Sequence, residues 1–209
     1  MRILATCLVV FLLLVIGELW WRKQRLHTEF TRKFVHISVG TFVAFWPFFL
    51  SWNEIRLLSV AFLLVVGVSK YLRVFRAIHT VQRPTWGELF FALAVGAVTF
   101  ITHDKWIYAA ALLQMSLADG FAAVIGTRYG QRFRYIVFGH AKSILGTLTF
   151  LVVSAAILAG FSYKSSQHLT AIFIFDLSVV TSAVENVGVA GLDNLLVPVL
   201  VAGALRFLT

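Results

Sequence analysis

The sequence predicts an all-α, polytopic membrane protein of about seven or eight transmembrane helices. Three observations point there. Hydrophobic residue types make up 60% of the 209 residues and charged types only 13%, against about 45–50% and about 25% in a soluble domain. The apolar residues fall in runs of near-bilayer length with short polar stretches between them. The Lys and Arg residues collect in alternate polar stretches, as they do where basic loops stay on the cytoplasmic side.

A helix needs about 20 mostly apolar residues to cross the hydrocarbon core. The runs 3–20, 34–51, 54–70, 88–103, 105–126, 143–161, 168–185 and 193–208 are the candidate spans, the shorter ones requiring tilt or partial re-entry. The first run, behind Arg2, has the look of a signal peptide. Gly17-Glu18-Leu19-Trp20 is a poor cleavage site, however, and Arg22, Lys23 and Arg25 form a stop-transfer flank, so a retained helix is expected. The second run opens on Arg32 and Lys33, and the third closes on Lys70. The loop 71–87 ends in Pro84-Thr85-Trp86-Gly87, flanked by Arg83 and by Glu88, an acid well placed at a helix start. The loop 127–142 is basic, and Ser143 is a plausible N-cap for the span it opens. Glu185 closes the seventh run, and Asp193-Asn194 caps the eighth.

With the N-terminus outside, 13 of the 18 Lys and Arg are cytoplasmic: Arg22, Lys23, Arg25, Arg32, Lys33, Lys70, Arg73, Arg76, Arg83, Arg128, Arg132, Arg134 and Lys142. No repeat or low-complexity tract divides the chain, so residues 1–209 are read as one integral membrane domain. The net charge of +9 lies between apolar runs and fits anionic headgroups or an anionic substrate better than nucleic acid. Cys7 is the single cysteine, and the six histidines have no metal-ligand spacing.

The polar residues that stand out all fall at predicted cytoplasmic helix ends, where an enzyme would meet both a soluble reactant and a lipid. A transporter would place them near the midplane; only Asp176 lies there, nine residues and about half a rotation from Glu185. Asp119, Ala122, Gly126 and Gly130 share one helix face, a single acid among small residues. An acid inside a span marks a functional site by default; a small-residue packing face with Asp119 paired to an Arg accounts for the pattern equally well. Lys142-Ser143-Ile144-Leu145-Gly146 joins a cation to a helix N-terminus, which suits phosphate; a snorkelling Lys behind a capping Ser is the plainer account. Gly139-His140-Ala141-Lys142-Ser143 is not a P-loop: it lacks the Gly before Lys, and no strand is predicted ahead of it. Glu185 and Asp193, across a turn with Gly188 and Gly191, could hold Mg²⁺ with substrate phosphates. Arg32, His36 and Gly40 recur at i, i+4, i+8 beside Lys33, for phosphate or for headgroups.

Together these residues resemble the CTP-dependent lipid-alcohol kinases, the family of dolichol, phytol and farnesol kinases and of fungal diacylglycerol kinase. The resemblance covers about residues 28–200. It rests on Arg32, Lys33, His36 and Gly40; on Asp119, Ala122, Gly126, Gly130, Lys142, Ser143 and Gly146; and on Glu185, Asp193, Asn194 and Pro198. Leu145 stands where the family carries Glu, and Ala141 where it often carries Lys. The resemblance implies phosphoryl transfer from CTP to the hydroxyl of a membrane lipid alcohol, with Mg²⁺. It implies catalytic roles for Asp119, Lys142 and Glu185, and metal ligation by Asp119, Glu185 and Asp193. Arg32, Lys33, His36, Arg83, Gly126, Gly130, Ser143, Gly146 and Asn194 would bind the nucleotide. The expected site lies at the cytoplasmic face, in a bacterial inner membrane. A phosphatidate cytidylyltransferase, distantly similar to this family, and a non-catalytic transporter or scaffold are the alternatives.

Overall fold

The structure, a computed structural model, describes residues 1–24, 28–72, 86–165 and 167–208. Nine α-helices occur among them: α1 (Arg2–Gln24), α2 (Thr28–Ala44), α3 (Trp52–Leu72), α4 (Gly87–Ile101), α5 (Lys105–Leu113), α6 (Asp119–Tyr129), α7 (Ile144–Lys164), α8 (Ala171–Val187) and α9 (Asp193–Arg206). A π turn over Gln114–Ala118 joins α5 to α6. The fold is helical as expected, with one correction to the all-α reading. Strands β1 (Arg134–Val137) and β2 (His140–Ser143) form an antiparallel hairpin within the stretch read as a basic loop.

Three of the described helical segments are long and apolar enough to cross a membrane by length and composition: Arg2–Trp20, Lys105–Arg132 and Ile144–Lys164. Gly87–Ile101 is apolar but shorter. The middle of these segments is the centre of the fold: 67% of its apolar window is buried, against 11% for the first and 28% for the third. Its small residues Ala109, Ala110, Ala111 and Ala118 are buried and admit neighbouring backbones closely. Helices α2, α7 and α9 pack around it, and α4 packs against α3 and α9.

Local chemistry starts several helices as the sequence indicates. The Asp104 carboxylate accepts from the Trp106 and Ile107 N–H groups at 2.7 and 2.9 Å and caps α5. Ser143 caps α7 by accepting from the Gly146 N–H at 3.1 Å. The cap predicted at Asp193-Asn194 is not made. Leu192 holds the N-cap position without a side-chain bond, and Asn194 Nδ2 instead donates to the Gly87 carbonyl at 3.0 Å. The α8–α9 connection turns through Ala190 (φ 56) and Gly191 (φ 90), and the Trp86 N–H donates to the Ala190 carbonyl. These bonds draw the start of α9 against the start of α4.

Candidate active site

The predicted site residues come from six separate segments, and the fold gathers most of them where helix ends converge. Lys33, near the start of α2, donates to both Asp119 carboxylate oxygens, at 2.8 and 2.6 Å. His36, one turn on, donates from Nε2 to the Met115 carbonyl at 3.0 Å and lies 3.5 Å from Asp119 Oδ2. The carbonyl can only accept, so Nε2 carries a proton. Lys142 donates to the Glu185 carboxylate and, at 3.1 Å, to the Glu185 carbonyl. Burial works against the Lys142 ammonium, but the Glu185 carboxylate beside it outweighs this and holds its pKa above the ordinary 10.5.

Asp119, Glu185 and Asp193 converge, with one carboxylate oxygen from each lying within 4.8 Å of the others. Gly188 permits this: a Cβ there would stand 2.5 Å from Asp193 Cβ and 3.0 Å from its nitrogen. Among the described residues two lysines pair with these carboxylates, in surroundings where Asp119 and Glu185 are each only 6% exposed. An all-oxygen donor set of carboxylates fits a hard divalent cation such as Mg²⁺.

The glycine-rich face has a packing geometry of its own. Gly126, Gly130 and Gly146 turn toward Ser143 and one another across the α6–α7 contact. A Cβ on Gly126 would come 2.8 Å from Ser143 Oγ and 3.2 Å from the Gly146 Cα. The helices therefore approach closely, which fixes the start of α7, and Lys142 with it, beside Asp119.

Sequence reasoning missed the device that aims Lys142. Tyr135 pairs opposite Lys142 in the hairpin ladder, so the two side chains share a face. The Tyr135 hydroxyl donates to Asn186 Oδ1 and bonds the Thr147 hydroxyl, while Lys142 reaches the adjacent Glu185. A strand thus does precede Ser143, contrary to expectation, but it belongs to a hairpin and not to a phosphate-binding βα unit. Tyr135 preceding Lys142 by seven residues carried no periodic signal to reveal this.

Of the remaining predicted residues, Arg32 lies on an adjoining cleft together with His36 and Asn194. Arg83 lies outside the described residues. Leu145, in the first turn of α7, is 38% exposed and is not among the three carboxylates that converge. Asp176 is exposed on α8 and away from the cluster.

No protein-family model and no solved structure matches the chain. A curated relative, the phytol kinase of Synechocystis sp. (strain ATCC 27184 / PCC 6803 / Kazusa), is 34% identical over 190 residues, covering 87% of this chain and 80% of the relative. With that identity over most of both chains, the chain belongs to the lipid-alcohol kinase family that includes phytol kinase.

Proposed function

We propose that the protein is a membrane lipid kinase that moves the terminal phosphoryl group of CTP to the hydroxyl of a lipid alcohol, phytol or a related isoprenoid. The observation that carries this reading is the convergence of three carboxylates and two lysines at the helix ends, joined through His36 to an apolar cleft. Phosphoryl transfer is mainly positioning and charge neutralisation, and the cluster offers both signs of charge within reach of an apolar compartment.

In the reaction, the bond from the terminal phosphorus to its bridging oxygen breaks and a bond to the alcohol oxygen forms. The nucleoside diphosphate leaves, and the hydroxyl proton passes to a carboxylate of the cluster. Lys142 and the capped start of α7 hold phosphate oxygens, with Lys33, Arg32 and Arg83 as further cations. Asp119, Glu185 and Asp193 would hold Mg²⁺, which when bound supplies neutralisation of phosphate charge. Gly126, Gly130 and Gly146 keep α7 close enough for these groups to share one substrate. The site faces the cytoplasm, and the remaining apolar helices complete the seven or eight spans.

The test is phosphate transfer by purified protein in lipid with Mg²⁺, γ-labelled CTP or ATP, and a panel of lipid alcohols and phosphatidate. Label in a lipid alcohol from CTP is expected, falling by about 10²–10³ in Asp119→Asn. Label released only as pyrophosphate with phosphatidate would make the protein a cytidylyltransferase, and the absence of both turnover and nucleotide binding would overturn the enzyme reading.

A further inference from the structure

A cleft opens between α1, α2, α3 and α4. Its walls are apolar: Leu14, Val35, Val39, Phe62, Val66 and Phe91. The aromatic rings form a row, Phe62 against Phe91 with centroids 6.1 Å apart, and Phe91 against His36 at 5.5 Å. Its polar residues are Glu18 late in α1, Arg32 in the second turn of α2 with His36 about one turn deeper, and Glu88 and Asn194 in the first turns of α4 and α9. The apolar positions follow one or more turns deeper along α1, α2 and α4. One end is therefore polar and one apolar, and His36 belongs both to this cleft and to the carboxylate cluster.

Resting on the kinase reading above, we infer that this cleft is the acceptor subsite: the isoprenoid tail of the lipid alcohol lies along Leu14, Val39, Phe62 and Phe91, and its hydroxyl meets His36. Nε2–H is committed to the Met115 carbonyl, so Nδ1 is the ring nitrogen left to hydrogen-bond the alcohol hydroxyl. Helix α1 closes the cleft from the edge of the fold, with Gly17 admitting Val35 against it. Because most of α1 faces outward, the tail has a lateral route from the bilayer.

The experiment separates this inference from the kinase reading. A long-chain isoprenoid alcohol with a diazirine at its tail is photolysed with the protein in lipid vesicles, and the labelled residues are identified by mass spectrometry, with and without excess unmodified alcohol. Competable label on α1–α4 cleft residues is expected, and it would support the subsite even if no phosphate were transferred. Label confined to other helices, or not displaced by the alcohol, would overturn the subsite even in an active kinase. In parallel, Leu14→Trp and Val39→Trp fill the cleft from opposite walls. Each should raise the KM for the long-chain alcohol about tenfold or more, as for the lost burial of a few methylenes, with the KM for nucleotide unmoved. Val68→Trp, on the outward side of α3, should change neither. An unchanged alcohol KM in both cleft variants would also overturn the assignment.

Discussion

Lys33→Met tests the buried pair on which the site is built. The Lys33 and Asp119 side chains are only 10% and 9% exposed, and the ammonium bonds both carboxylate oxygens. Removing the lysine leaves Asp119 buried without its paired ammonium, with His36 3.5 Å away. Breaking a buried pair from one side costs about 3–5 kcal/mol. For a chain of this size that lowers the unfolding midpoint by about 6–20 °C. Asp119→Leu should cost a similar amount, since it strands the lysine. Lys33→Met/Asp119→Leu should recover most of the loss, because replacing both ions with apolar groups is often neutral or stabilising. The assay is tryptophan-monitored thermal unfolding in detergent for all four proteins, with phosphate transfer measured beside it. The double variant should be stable but slower by about 10²–10³. A single variant losing under about 1 kcal/mol, or a double variant no more stable than either single, would show that the pair is not closed and buried as described. A double variant with normal turnover would remove Asp119 from the reaction.

Four further outcomes follow. Mg²⁺ at about a hundred times its Kd should stabilise the wild type by about 2.7 kcal/mol in a thermal-shift titration, and Asp193→Asn should lose most of that; an equal shift in both would exclude the carboxylate cluster as its site. Gly126→Ala should destabilise by about 1–3 kcal/mol through crowding at Ser143 and Gly146, whereas Gly67→Ala, whose Cβ would meet nothing within 4 Å, should be neutral or slightly stabilising in the same unfolding assay. The Lys142 pKa is raised above 10.5, so its contribution is fully present below that value and lost only as pH rises through the folded pKa; the stability difference between wild type and Lys142→Met should therefore hold constant from neutral pH to about pH 9.5. Phe138 turns the hairpin at φ 45, a left-handed conformation costing about 1–2 kcal/mol outside glycine, so Phe138→Asn should make the hairpin amides exchange hydrogen more slowly.

The sequence made individual residues visible more readily than their partners. Asp119, Lys142 and Glu185 were legible because charges inside or at the ends of apolar runs are expensive enough to need a reason. The Ser143 cap was legible because capping is local. That Lys33, 86 residues from Asp119, supplies its counter-charge was not, since helix periodicity says which face a residue occupies and nothing about the facing helix. Asp193 and Asn194 misled for a related reason. Their side chains fit an N-cap, but tertiary demands at Glu185 and Gly87 outweigh it. The hairpin was hidden because its four-residue strands, with Ile136 exposed in β1 and Phe138 exposed in the turn, carry no alternation of the kind a buried sheet imposes. Gly126 and Gly146 show that small residues mark close approach, here of α6 to α7.

The π turn over Gln114–Ala118 has a consequence for how this span works. Such a turn holds one residue more than the helical turn it replaces, so the stretches on either side are out of phase by about 100°. Helix α5 points its inward stripe toward α2 and α9, and α6 points its own toward α7. One continuous segment thereby serves two sets of neighbours, with Asp119 the first residue after the phase change. Relaxing the turn to regular helix with all five residues kept would leave every charged group of the site in the chain, yet rotate Asp119 by about 100° away from Lys33, Glu185 and Asp193, whereas losing one residue at the same time would keep the phase. The site's geometry is thus set as much by how the chain winds in the middle of the span as by the chemistry of the residues that meet there.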